Sequence, residues 1–265
     1  MDRVTGLAIC WRIERRDGVA IGLTDHDRDL EVDGFTYRAA PGMTPSAIVR
    51  GDGLEAATMD AKGALTSAAI TERDLIAGRW DGARVGIVAV DWAAGGAPVP
   101  LGAGTIGAVD LDAAGFTAEL RGAAAALDRP ATEATSPDCR AELGDRRCRV
   151  ALAGRRRFVR VVASDAEAVT LDRVEPAPDA YGGGLVRWLG GMNCGFESAV
   201  TASAGAMMTL RTLPPFAIQP GVLIEVTEGC DKTIATCAGR FGNAINFRGE
   251  PYLPGIDLLT RYPGG

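Results

Sequence analysis

Short apolar segments recur along the chain, each broken within about ten residues by Gly, Asp or Pro. Runs rich in Val, Ile, Thr and aromatic residues fall at 4–13, 18–24, 35–39, 84–91, 103–110 and 115–121. Further runs lie at 157–163, 168–173, 206–212 and 222–227. Brief β-branched runs bounded by turn formers are the pattern of strands rather than helices. The spacing therefore predicts a mainly β chain of hairpins and small barrels with a minor α component. Asp33-Gly34 between apolar flanks predicts a hairpin turn, since both residue types tolerate positive φ. One amphipathic helix is predicted from a cap at Thr66-Ser67 to about Ala77, with Ile70, Leu75 and Ile76 apolar and Gly78 as its stop. A second short helix is predicted near Ser136-Pro137, because Pro is tolerated in a first helical turn.

The pattern changes between Ala123 and Pro137, where Pro130 and Pro137 interrupt a stretch of small and polar residues. That composition predicts a domain boundary. Residues 1–130 are expected to form a β-barrel or sandwich-like domain, and residues 131–265 a loop-rich domain that carries most of the cysteines. The second part shows few long apolar runs, so it is expected to lack a large core of its own. Within it, Pro176 to Gly195 contains Tyr181-Gly182-Gly183-Gly184 and Gly190-Gly191, and is expected to be a flexible loop around one short strand, 185–189.

Composition narrows the classes of function. The 265 residues are 47% apolar and 23% charged, as in ordinary soluble domains, and no uncharged apolar run reaches the length of a membrane span. The first apolar stretch ends at Arg12, too early for a signal-peptide core, so synthesis in a bacterial cytoplasm is expected. Residues 1–130 hold 19 acids and 13 bases, and residues 131–265 hold 15 of each, so no strongly basic nucleic-acid-binding domain is indicated. Seven arginines, at 146, 147, 149, 155, 156, 157 and 160, fall in a window without an acid. They suit charge compensation of an anionic site, an acidic partner ring, or DNA in transit. Asp25, Asp27 and Asp29 lack the loop pattern of a calcium site. His26 is the only histidine; it lies among those aspartates and reads as a solvated turn residue, not a catalytic base. The sequence has no phosphate-binding loop, dinucleotide fingerprint, zincin helix or nucleophile elbow, so no catalytic residue is assigned and an enzyme is not expected.

The six cysteines carry the chemistry. Cys139 and Cys148 are separated by eight residues, and Cys230 and Cys237 by six. Both pairs sit in polar segments flanked by Arg140, Arg146, Arg147, Arg149, Lys232 and Arg240, a setting expected to favour thiolates. In a reducing compartment, paired cysteines point to metal or redox chemistry before disulfides. Zinc sites ordinarily use shorter gaps, whereas an iron–sulfur cluster accepts four thiolates from more separated positions. Spacing alone leaves iron–sulfur, zinc, disulfide and unliganded states open. Cys10, in Leu7-Ala8-Ile9-Cys10-Trp11, reads as a core residue, and Cys194 as a bystander in the glycine-rich stretch.

Thr24-Asp25-His26-Asp27-Arg28-Asp29-Leu30, Leu143-Gly144-Asp145 and above all GCDKTIATCAGRFGNAINFRGEPYLPG (229–255) resemble the tail-tip hub proteins of long-tailed phages, prophages and alphaproteobacterial gene transfer agents. The second domain also resembles that of the minor tail protein L of lambda-like phages, which has the same cysteine gaps. The resemblance implies a mainly β homotrimer in a tail-tip baseplate, joining the distal tail protein to a central tip or fibre (megatron-like) protein. A tape-measure protein or tail peptidase is an implied neighbour, with DNA only in transit through the lumen and no membrane span. It further implies a structural [4Fe-4S] cluster on Cys139, Cys148, Cys230 and Cys237 that staples the second domain, with zinc as the alternative occupant. A thiol-dependent redox enzyme is the competing function. Glu250 stands where the family often carries an apolar residue, a departure that bears on the packing of its loop.

Overall fold

The computed structural model describes residues 6–40, 44–45, 58–63, 70–112, 115–122 and 132–253. The chain divides into two compact units, Met1–Ala131 and Thr132–Gly265. The first is a nine-stranded sheet and the second a closed six-stranded barrel.

In the first unit the strands are β1 (Leu7–Glu14), β2 (Ala20–Thr24), β3 (Leu30–Val32), β4 (Phe35–Ala39), β5 (Thr44–Pro45), β6 (Thr58–Gly63), β7 (Arg84–Asp91), β8 (Val99–Asp112) and β9 (Gly115–Arg121). Their spatial order is β3-β4-β2-β1-β7-β8-β9-β6-β5. β1 lies near the middle and is buried on both faces: Trp11 and Ile13 join Ile87, Ile106 and Leu120 in the main core, while Cys10 packs with Tyr37 and Val90. Asp33 and Gly34 both have positive φ, 51° and 73°, and turn β3 into β4, so the predicted hairpin forms there. The helix α1 (Glu72–Ile76) is capped by Thr71, whose side chain accepts from the Asp74 amide. The predicted cap at Thr66-Ser67 lies outside the described residues. Gly78 follows α1 with a φ of 71° and ends it as expected.

The second unit contains β10 (Arg156–Asp165), β11 (Ala168–Leu171), β12 (Leu185–Trp188), β13 (Glu197–Ala204), β14 (Met207–Leu210) and β15 (Leu223–Thr227). They close in the order β10-β11-β14-β13-β12-β15. The closed barrel therefore belongs to the second unit, which is not the coreless, loop-rich domain that its sequence suggests. Val159, Val161, Val169, Leu171, Val186, Trp188, Val200, Met208, Leu210, Ile224 and Val226 fill its interior. Each short strand supplies only two or three inward residues, so no segment shows a long apolar run; closure collects them into one core. The Trp188 indole donates to the Ser198 hydroxyl at 2.9 Å, satisfying its buried N–H. No helix forms at Ser136-Pro137. There the Ser136 amide donates to Glu250 instead of entering a helical turn.

The run Gly182-Gly183-Gly184 is a crossing point of two backbones rather than a free loop. A Cβ on Gly229 would lie 1.9 Å from the Gly182 carbonyl oxygen, and one on Gly183, whose φ is 70°, would lie 2.6 Å from the Cys230 carbonyl oxygen. Only glycine permits this approach.

Candidate functional site

The four paired cysteines lie on the segments that flank the barrel at both ends of the second unit. Cys139 and Cys148 bracket a turn organised by Asp145. One Asp145 oxygen accepts from the amides of Cys148 (2.6 Å) and Arg147 (2.8 Å), and the other accepts from Glu142 (3.0 Å). The Cys148 amide bond, with the other two, holds the Asp145 carboxyl below its ordinary range. Gly144, with φ of 81°, lets the chain fold back inside this turn.

The second pair is held by a different device. Asp231 accepts from the Thr233 amide and hydroxyl, both at 2.9 Å, and from the Thr236 hydroxyl at 2.7 Å. Thr233 then caps α2 (Ile234–Gly239) by accepting from the Thr236 amide, which carries Cys237 into the first turns of the helix. The six-residue gap is thus a capped turn followed by a short helix.

The two pairs are bonded to one another. The Cys139 amide donates to the Lys232 carbonyl at 2.9 Å, and the Lys232 ammonium donates to the Ala141 carbonyl at 2.7 Å. Asn243 reaches the Cys148 carbonyl at 2.6 Å and its sulfur at 3.7 Å. Backbone amides also face sulfur: Lys232 donates to Cys230 Sγ and Arg248 to Cys139 Sγ, each at 3.4 Å. Lys232 reaches this arrangement with a left-handed φ of 65°.

Burial pushes the Cys230 and Cys237 thiols up from their ordinary value. Cys237 is raised further by its neighbours Cys230, Cys139 and Cys148. The expectation that basic neighbours favour these two thiolates is therefore not met. Desolvation is the larger effect: Lys232 does act to lower Cys230, but burial outweighs it, and other positive charge nearby is paired, Arg140 with Glu133 and Glu250, Arg147 with Glu133, and Arg240 with Glu228. Cys139, Cys148, Cys230 and Cys237 are not joined by disulfides. Among the described residues no group of three or more His, Cys, Asp or Glu side chains is arranged to hold a metal ion.

Glu250 has a partner that the sequence did not suggest. Its two oxygens take a bidentate bond from Arg140 at 2.6 and 2.7 Å, and one also accepts from the Ser136 amide at 3.0 Å. The Arg140 bond, aided by that amide, holds the Glu250 carboxyl down to about 2. Arg155 is likewise paired, with Glu228, so the acid-free arginine window finds carboxylates from distant segments. Of the other residues singled out, Cys10 is fully buried in the first unit and Cys194 is exposed. The His26 ring packs on Trp92 at 4.7 Å, and its Nδ1 accepts from the Arg28 amide, so it is a packed turn residue rather than a solvated one. Asp25 and Asp29 spend one oxygen each on the amides of Ile9 and Ala39.

The model of a family described as "Baseplate hub protein, N-terminal attachment domain" matches residues 1–151, more than half of the sequence. The chain belongs to the baseplate hub protein family. A second family model, described as a phage conserved hypothetical protein BR0599, matches residues 179–257 of the hub chain, across the Cys230–Cys237 segment. Among solved structures the hub chain is similar to one titled "Virion of native gene transfer agent (GTA) particle". The identity is 36%, the likeness covers 98% of this chain and 92% of that one, and the TM-score is 0.87. No curated protein sequence matches it. Membership in this family makes the hub chain a structural baseplate component and not an enzyme.

The residues that hold the hub chain's cysteines in place were not legible in its sequence. Asp145, Asp231 and Asn243 carried no motif beyond the family resemblance, and Gly229 and Gly183 looked like loop glycines. A local signal did exist for Asp231: an Asp two residues before a Thr-capped helix can accept from the cap.

Proposed function

We propose that this chain is the hub of a phage-like or gene transfer agent tail tip. In this reading it is a homotrimer that joins the distal tail ring to a central tip or fibre protein, and it carries a structural [4Fe-4S] cluster. The observation that carries the assembly reading is the end-to-end likeness, at 36% identity, to a chain of a gene transfer agent particle. Cys139, Cys148, Cys230 and Cys237 would hold the cluster.

Three features support four thiolates around one polynuclear group. The four sulfurs influence one another, amide donors face the sulfurs of Cys139 and Cys230, and Asn243 reaches Cys148. N–H donors directed at sulfur are a recognised means of stabilising an anionic cluster. When bound, the group would supply four metal–thiolate bonds that cross-link segments about 90 residues apart.

The test is iron and acid-labile sulfide per chain on protein purified without oxygen, beside Cys139→Ser and Cys230→Ser. About four of each, lost in both variants, is the expected result. About one zinc per chain, or no metal, overturns the cluster. Sedimentation equilibrium of the same sample is expected to give the mass of three chains; a monomer or dimer overturns the trimer.

A further inference from the structure

The two cysteine pairs are anchored differently. The segment that enters Cys230 is bonded to the barrel wall by a buried ionic group. Glu228, 7% exposed, receives Arg155 at 2.7 Å and Arg240 at 3.0 Å on one oxygen. Arg240 also donates to the Ala180 carbonyl at 2.9 Å and to the Gly229 carbonyl at 3.3 Å. Phe241 lies against both guanidiniums, at 4.9 and 5.0 Å from its ring centre. Backbone bonds run alongside: the Glu228 amide to the Arg155 carbonyl and the Gly229 amide to the Ala180 carbonyl, each at 3.0 Å. Gly229, immediately before Cys230, sits in backbone contact with Gly182 and Gly184. Arg240 closes α2 behind Cys237. None of these bonds uses a cysteine sulfur.

The Cys139–Cys148 segment has no such seat in the barrel. Beyond its own Asp145 turn, it is tied by Cys139 to the Lys232 carbonyl, by Ala141 and Glu142 to the Lys232 ammonium, and by Cys148 to Asn243. Arg140 ties it to Arg248 and Glu250, and these partners lie in 232–250; Arg140 and Arg147 also pair with Glu133, just before the segment itself. The first pair thus leans on the second, and the second leans on the barrel.

We propose that Arg155, Glu228, Arg240 and Phe241 form a positioning clamp that seats the Cys230–Cys237 arm on the barrel in the absence of metal, and that this seated arm is the template on which the Cys139–Cys148 arm closes. The proposal rests on reading the four cysteines as one ligand set. The buried charges fit this role physically. A carboxylate shared by two guanidiniums fixes direction as well as distance, and removing Glu228 would leave Arg155 and Arg240 facing each other without a counter-charge. Metal loading is then ordered: Cys230 and Cys237 present two thiols in place, and the other two arrive with their turn.

Thiol labelling of the metal-free full chain tests the order directly. Cys148 and Cys237 are equally buried, at 8% and 7% exposure, so static accessibility predicts equal labelling. Ordered closure predicts that Cys148 reacts with iodoacetamide at least about tenfold faster than Cys237, each rate divided by its value in denaturant. Asp145→Ala speeds Cys148 and leaves Cys237 unchanged. Arg240→Lys keeps the charge but loses the forked bond, and speeds both by at least about tenfold, with amide exchange in β10–β15 unchanged. Should Arg240→Lys disturb the barrel, Phe241→Leu removes the plate between the guanidiniums and is expected to show the same pattern more weakly. Equal rates for Cys148 and Cys237 in the parent chain, or an Asp145→Ala effect that spreads to Cys237, overturns the proposal. Absence of bound iron would sink the cluster reading alone, because the labelling order is measured without metal.

Discussion

Met208 lies at the centre of the barrel with no exposed surface, paired across β14 with Val169 on one side and Ser203 on the other. If the second unit rests on this core rather than on its cysteines, Met208→Ala must unfold it at markedly lower temperature even without metal. Truncating a buried Met costs the transfer energy of the lost atoms plus that of the cavity, about 3 kcal/mol within the usual range of about 2–5. For the unit Thr132–Gly265, an unfolding entropy of about 2.1 cal/mol/K per residue makes that a fall of about 10 °C in Tm. The assay is thermal unfolding of the metal-free full chain, with amide exchange in β10–β15 assigning the transition to the barrel. Cys139→Ser in the same metal-free background is expected to move Tm by less than about 2 °C, since its sulfur fills no core position. A Met208→Ala shift below about 3 °C, or barrel strands that exchange freely once metal is withheld, would refute the argument that the barrel is self-supporting.

Three further outcomes follow from the geometry. Glu250, depressed to about 2 by Arg140, strengthens the closure of 136–140 on 248–250 above its unfolded range near 4.5, and that contribution disappears as pH falls from there toward 2. Limited proteolysis of 133–148 is therefore expected to stay flat from pH 7 to 5 and to accelerate below about 4.5; Glu250→Gln shrinks that acid step, the remainder belonging to Glu133 and Asp145, whose carboxyls are also held low, and an unchanged step in the variant disproves the assignment. Gly229→Ala forces a Cβ into the Gly182 and Gly184 backbone, so a loss of about 1–3 kcal/mol, read as a lower denaturant midpoint for the second unit, is expected. A neutral Gly229→Ala would show that this crossing is looser than described. Asp145→Ala removes the acceptor for three amides, and, if the proposed cluster is bound, its iron is expected to pass to a chelator at least about tenfold faster; an unaltered rate in the iron-loaded protein would exclude Asp145 as the organiser of that turn.

The strands were readable because each is short, β-branched and bounded by turn residues, as in β1, β7 and β15. What escaped was closure. Val159, Val186 and Ile224 lie on β10, β12 and β15, of which β15 pairs with both of the others although all three are far apart in sequence, and no local window carries that information. β13 escaped because Glu197-Ser198-Ala199-Val200-Thr201-Ala202-Ser203-Ala204 alternates small residues with polar ones and has little apolar mass. Thr66, Ser67 and Thr71 are all chemically competent caps, and the described chain shows Thr71 capping α1, while Thr66 and Ser67 lie outside the described residues. At the candidate site the four cysteines stand out in the sequence as candidates, whereas the hydrogen bonds that hold their segments do not. Arg155 finds Glu228 73 residues away, and Arg140 finds Glu250 110 residues away, so a charge count over 146–164 describes a patch that the fold neutralises in part. Glu250, expected from the resemblance to disturb the packing of its loop, is instead held by an arginine.

The Ser136–Glu250, Arg140–Glu250, Arg140–Arg248 and Cys139–Arg248 bonds fasten the two ends of the second unit's described chain to each other. That clasp has a mechanical meaning. Tension applied along the chain, entering before residue 136 and leaving after residue 250, meets these bonds first. The ladders of β10–β15 lie in the intervening loop of chain and bear no load until the clasp parts. The unit is wired as a buckle closed around a barrel, and its first yield under pulling is set by an ion pair and a few amide bonds, with the barrel loaded only afterwards.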